Sequence, residues 1–142
     1  MREILFPNLI RPDQIRGKIY MQEISKTCCQ LGLSQKIDGQ MIVRKDGDGL
    51  KNREDYFSKN GIDVLSVVSA KLVHGNVVKK VTGEDFGRFV DDCDGLISQT
   101  KGICLSVTVS DCLPIFFYDE QKQVIGIAHA GWKGVVSNIA SE

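Results

Sequence analysis

Between Val64 and Ala130 the chain is a succession of short β-branched runs, each cut off by glycine, proline, asparagine or aspartate. Val64 to Leu72, Val77 to Val81, Cys93 to Ser98, Ile103 to Val109, Ile115 to Tyr118 and Val124 to Ala128 are all brief and rich in residues that suit a pleated surface. Such runs bury their side chains by pairing into sheets, which excludes a helical bundle. Asp119 to Lys122 reads as a hairpin loop joining the last two.

Helical signals are few. One helix is expected from Leu50 to Lys59, stopped by Asn60-Gly61 as a left-handed cap. A second opens around His129 to Gly134 and runs to Glu142. Nearer the start, residues 1–16 read as an extended lead-in, Lys18 to Ser25 and Gly39 to Val43 as strands, and Lys45 to Gly49 as a loop. The expected fold is α/β, of the α+β type, in one domain spanning residues 1–142. A final helix of only about two turns, with no closing cap, gives the chain the look of such a domain without its second part.

The formal net charge is zero and carries no basic block, so no electrostatic footprint for nucleic acid or an anionic membrane is expected. No apolar run approaches the roughly 20 residues of a membrane span, and Met1 to Pro7 lacks the pattern of a signal peptide. Five cysteines, odd in number and with Cys28 and Cys29 adjacent, suit a reduced cytoplasmic protein. Oligomeric state is not legible.

The chain has only two histidines. His74 lies in Leu72-Val73-His74-Gly75, and His129 directly follows the run Val124 to Ala128. Cys112 lies in Ser110-Asp111-Cys112-Leu113-Pro114, where the proline ends the preceding strand. All three sit at strand ends beside glycine or proline, and a hairpin brings Cys112 and His129 to one edge. Two imidazoles and a thiolate suit zinc and leave a fourth position for water. The plainer alternatives are hydrogen-bonded structural histidines and a core cysteine.

These motifs resemble those of the laccase-domain family, also called the multicopper polyphenol oxidase or purine nucleoside phosphorylase family. Its members carry Gln-Val-His-Gly, Ala-Asp-Cys-Leu-Pro and His-Ala-Gly-Trp-Arg-Gly. Here the counterparts are Leu72 to Gly75, Ser110 to Pro114 and His129 to Gly134. Gly47-Asp48 leading to Asn52-Arg53, Asp94 to Ser98, and Gly32-Leu33-Ser34 are similar as well, so the likeness runs over about residues 30–142. The resemblance implies layered mixed β-sheets covered by helices, with zinc held by His74, Cys112 and His129. It implies purine nucleoside and phosphate as partners, by phosphorolysis or by deamination of adenosine.

Within that reading Asp111 is the candidate proton-shuttling carboxylate, and Arg53 and Lys133 are the candidate cations for phosphate. Set apart from the resemblance, both cations read as surface charges. Trp132 reads as a base-stacking or, more plainly, a core aromatic. A single His₂Cys set cannot hold the several centres of a copper laccase. The chain departs from the pattern where Leu72 replaces Gln and Lys133 replaces Arg, which loses a bidentate fork. Family members also run longer. Two other functions stay open: a metal-free cysteine hydrolase using Cys112 with a histidine base, and a metal-binding domain without catalysis.

Overall fold

A computed structural model of the chain describes residues 29–44 and 47–142. The expected lead-in, the strand Lys18 to Ser25 and Cys28 lie outside the described residues.

Helix α1 (Gly49–Lys59) forms within a residue of its expected bounds. Its end is set by Gly61, whose φ of 71° is open to a residue without Cβ. Gly61 N–H donates to Ser58 O at 3.0 Å and Ile62 N–H to Phe57 O at 2.9 Å, the paired closure of a Schellman motif. The strand expected at Gly39 to Val43 does not form. Asn52 Nδ2 donates instead to Gln40 O at 3.0 Å, and a Cβ on Gly49 would collide with the Ile42 carbonyl. That segment packs on the start of α1 and has no sheet partner.

Seven strands follow: β1 (Val67–Ala70), β2 (Val78–Lys80), β3 (Phe89–Val90), β4 (Gly95–Ser98), β5 (Cys104–Ser106), β6 (Leu113–Asp119) and β7 (Val124–Ala130). They make two sheets. The first, in order β3-β1-β5, is wholly parallel; the second, β2-β4-β7-β6, is parallel only between β2 and β4. Strand β1 is buried along its whole length, as a central parallel strand should be. It is shorter than the run Val64 to Leu72, because Val64–Ser66 wind into a 3₁₀ turn capped by Asp63, whose Oδ1 accepts from Leu65 N–H at 3.0 Å.

Val68 and Ala70 of the first sheet meet Leu96 and Ile127 of the second in one core, joined by Val81, Cys93 and Ile103. The arrangement is a layered mixed α/β fold, as the resemblance implies. Two expectations near the chain's end need correcting. Strand β7 runs on to Ala130, so His129 lies inside the strand rather than after it. Pro114 sits within β6, which tolerates it because β6 is an edge strand with β7 as its one partner.

Helix α2 (Trp132–Val136) is shorter than the helix expected through Glu142. Asn138 takes a left-handed φ of 58°, breaking the helix before a 3₁₀ turn at Ile139–Ser141. Ile139 is buried against Ala128 and Ala130, where it covers one end of the second sheet's outer face. Among the described residues no helix is long and apolar enough to cross a membrane.

Candidate metal centre

Three loops and strands deliver the site. His74 comes from the turn after β1, Cys112 from the residue before β6, and His129 from β7, one residue short of its end. Their ligand atoms lie within 4.8 Å of one another. The imidazole planes cross at 84° with centroids 4.9 Å apart. His129 is only 2% exposed, Cys112 is half-buried and His74 faces solvent, so the cluster is open on one side.

Strand pairing accounts for the convergence. In the β6–β7 ladder Pro114 faces His129 and Leu113 faces Ala130, which carries Cys112 past the end of β7 beside the imidazole. In the β4–β7 ladder Gly95 faces Ala128, so Asp94 lies opposite His129 just beyond β4. Backbone and side chain then bond together: His129 N–H donates to Asp94 O at 2.7 Å, and His129 Nδ1 lies 2.9 Å from Asp94 Oδ1.

The same carboxylate holds the His74 turn. Val73, His74 and Gly75 point successive N–H groups at Asp94, at 3.3, 2.9 and 2.7 Å. Such a run of donors is a backbone anion nest, and it requires a left-handed residue. His74 supplies it with φ 58°, a conformation that costs a non-glycine residue about 1–3 kcal/mol. Burial alone would push the Asp94 pKa up, but the Gly75 N–H, His129 and the other two N–H groups together hold it below the ordinary carboxylate value. Asp94 is fully buried, and no sequence motif had assigned it a role. The signal available was a carboxylate heading the apolar run Gly95 to Ser98.

Gly131 was overlooked in the same way. A Cβ there would stand 3.3 Å from His129 Cε1, 3.5 Å from Cys112 Sγ and 3.6 Å from His74 Cδ2. The missing side chain keeps clear the space on which the three ligands converge. Zinc bonds of about 2.0–2.3 Å at tetrahedral angles put ligand atoms roughly 3.3–3.6 Å apart, so sharing an ion would draw the widest pair of the cluster together by up to about 1.5 Å. Nitrogen and sulfur donors converging on one space fit a borderline-soft divalent metal.

The other expected residues fall in different places. Asp111 is exposed beside the cluster, its Oδ1 3.8 Å from Cys112 Sγ. Partial burial and that carboxylate raise the Cys112 thiol pKa, the opposite of what a free cysteine nucleophile needs. Lys133 is exposed on α2, 5.7 Å from the Trp132 ring, and Trp132 itself is 73% exposed rather than a core aromatic. Leu72, in place of Gln, packs on the main core.

Arg53 is not a surface charge. It is buried, donating to Ser69 Oγ at 2.5 Å, Ser106 Oγ at 3.2 Å and Thr108 Oγ1 at 3.3 Å, with its guanidinium over the Phe57 and Phe89 rings. None of these contacts is with His74, Cys112 or His129.

Two layered sheets with an imidazole–thiol–imidazole cluster at their strand ends define a laccase-domain-like α/β protein. Residues 43–142 match the family described as multi-copper polyphenol oxidoreductase laccase, and the chain belongs to that family. It is 38% identical over 123 residues to the purine nucleoside phosphorylase YlmD of Bacillus subtilis, covering 78% of this chain and 44% of that protein. It is 35% identical over 132 residues to the purine nucleoside phosphorylase RC0672 of Rickettsia conorii, covering 89% of this chain and 50% of the relative. The crystal structure of YlmD from Geobacillus stearothermophilus superposes with a TM-score of 0.63 at 32% identity, over 66% of this chain and 37% of that one. The chain thus spans half or less of the length of these relatives.

Proposed function

We propose that this chain carries the metal-binding part of a zinc-dependent purine nucleoside phosphorylase. The observation behind the reading is the convergence of His74, Cys112 and His129 on a space kept open by Gly131. The names of the relatives supply the reaction class. Two neutral imidazoles and one thiolate would hold zinc, which supplies a Lewis acid with an open position.

Phosphorolysis forms a bond between a phosphate oxygen and C1′ of the ribose as the bond from C1′ to the purine nitrogen breaks. Asp111, exposed beside the cluster, would exchange a proton with the departing base or with phosphate. Lys133, exposed just after Gly131 and Trp132, is the cation assigned to phosphate, and Trp132 offers an open aromatic face to a base. Arg53, engaged within the first sheet, serves instead to brace the strands from which the His74 and Cys112 segments emerge.

A single His₂Cys cluster, in a chain with two histidines, supports zinc and not a set of copper centres. The test is a nucleoside panel run with and without inorganic phosphate. Release of purine base and ribose 1-phosphate from inosine or adenosine, only with phosphate and abolished by Cys112→Ser, is the expected result. Phosphate-independent conversion of adenosine to inosine would move the reading to deamination. Turnover unaffected by a chelator or by Cys112→Ser would end the zinc reading.

A further inference from the structure

We propose that Asp94 is the positioning residue for both imidazoles, fixing the tautomer of His129 and the backbone turn of His74 with one carboxylate. The metal half of this inference rests on the zinc reading above; the tautomer half does not.

The division of labour between the two oxygens carries the argument. Oδ1 accepts from His74 N–H and faces His129 Nδ1, while Oδ2 accepts from Val73 and Gly75 N–H. An ionised carboxylate offers acceptors only, so Nδ1 of His129 carries a proton, and in the neutral ring it is Nε2 that keeps the lone pair. The nitrogen left free is the one able to bind a metal. A second hydrogen bond to a ligating imidazole sets its orientation and raises its basicity.

The same atom that selects the His129 tautomer holds the His74 amide, so the two ligands are set relative to each other before any ion arrives. Asp94 is fully buried and lies opposite His129 at the end of β4, so its carboxylate serves these four groups away from water.

No asparagine can copy this. With its single carbonyl oxygen toward His129, its NH₂ meets the donors of Val73 and Gly75. Flipped, it presents NH₂ to His129 Nδ1 and drives the ring to the tautomer protonated at Nε2, whose one lone-pair nitrogen is then taken up by that hydrogen bond.

The experiment is long-range ¹H–¹⁵N correlation NMR of the metal-free protein at pH 8, paired with zinc competition against a chromogenic chelator for wild type and Asp94→Asn. Wild-type His129 is expected as the Nδ1–H tautomer. Asp94→Asn is expected to lose that preference and to bind zinc 10- to 100-fold more weakly. A wild-type His129 protonated at Nε2, or unchanged tautomer and zinc affinity in Asp94→Asn, would overturn the proposal. Should Asp94→Asn fail to fold, the wild-type spectrum alone still decides it. A wild-type protein that binds no zinc yet shows the Nδ1–H tautomer would sink the metal reading and leave Asp94 as the positioning group.

Discussion

At the residue scale the site depends on one side chain that is absent. Gly131 has φ −71° and ψ 167°, a backbone that alanine adopts without strain. Gly131→Ala should therefore leave the metal-free fold intact while its Cβ presses on His129 Cε1 at 3.3 Å and fills space beside Cys112 and His74. Overpacking of about 1–3 kcal/mol corresponds to roughly 5- to 150-fold weaker zinc binding. Isothermal titration alongside far-UV circular dichroism checks both halves.

A second residue-scale effect is electrostatic. Burial pushes the Cys104 thiol up to about 11, against the opposing pull of Arg53. The native state thus keeps a proton that the unfolded chain gives up near pH 8.5. The stabilisation is fully present below that pH and is lost as pH rises toward about 11, by up to about 3 kcal/mol. Urea denaturation at pH 8 and pH 10.5 should show a larger loss in wild type than in Cys104→Ala, where the buried Cys93 and half-buried Tyr56 still contribute.

Among elements, the Arg53 cluster ties α1 to β1 and β5. Its guanidinium serves hydroxyls on both strands and lies between two aromatic faces. Arg53→Ala leaves a cavity and three hydroxyls without their donor, so stability should fall by roughly 2–4 kcal/mol. Urea denaturation measures the loss, and zinc stoichiometry in the folded fraction should stay unchanged.

The strands themselves were largely legible, since β-branched runs and turn residues are local signals. β2, β4 and the β6–β7 hairpin fall where the pattern puts them. β3, only two residues long, left no such signal and exists through its pairing with β1. The expected strand at Gly39 to Val43 failed because sheet membership needs a neighbour, and α1 took that segment first. Arg53 deceived for a related reason: its surroundings are hydroxyls from strands far along the chain.

On the scale of the whole molecule, the cluster forms where the two sheets' strand ends meet. The motif residues His74, Cys112 and His129 were readable because the chain has only two histidines and all three residues lie within two positions of a glycine or proline. Asp94 and Gly131 were not, because their roles exist only once β4 lies against β7 and the His74 turn folds over them. The sequence names the three candidate ligands; the chain's topology supplies what brings them together and orients them.

Zinc content per chain, by plasma mass spectrometry after exhaustive dialysis, tests the central claim most directly. Wild type should retain one zinc per chain, and a folded His74→Ala, Cys112→Ala, His129→Ala triple variant should retain none. Zinc-free wild type under zinc-replete growth, or undiminished zinc in the triple variant, would contradict it.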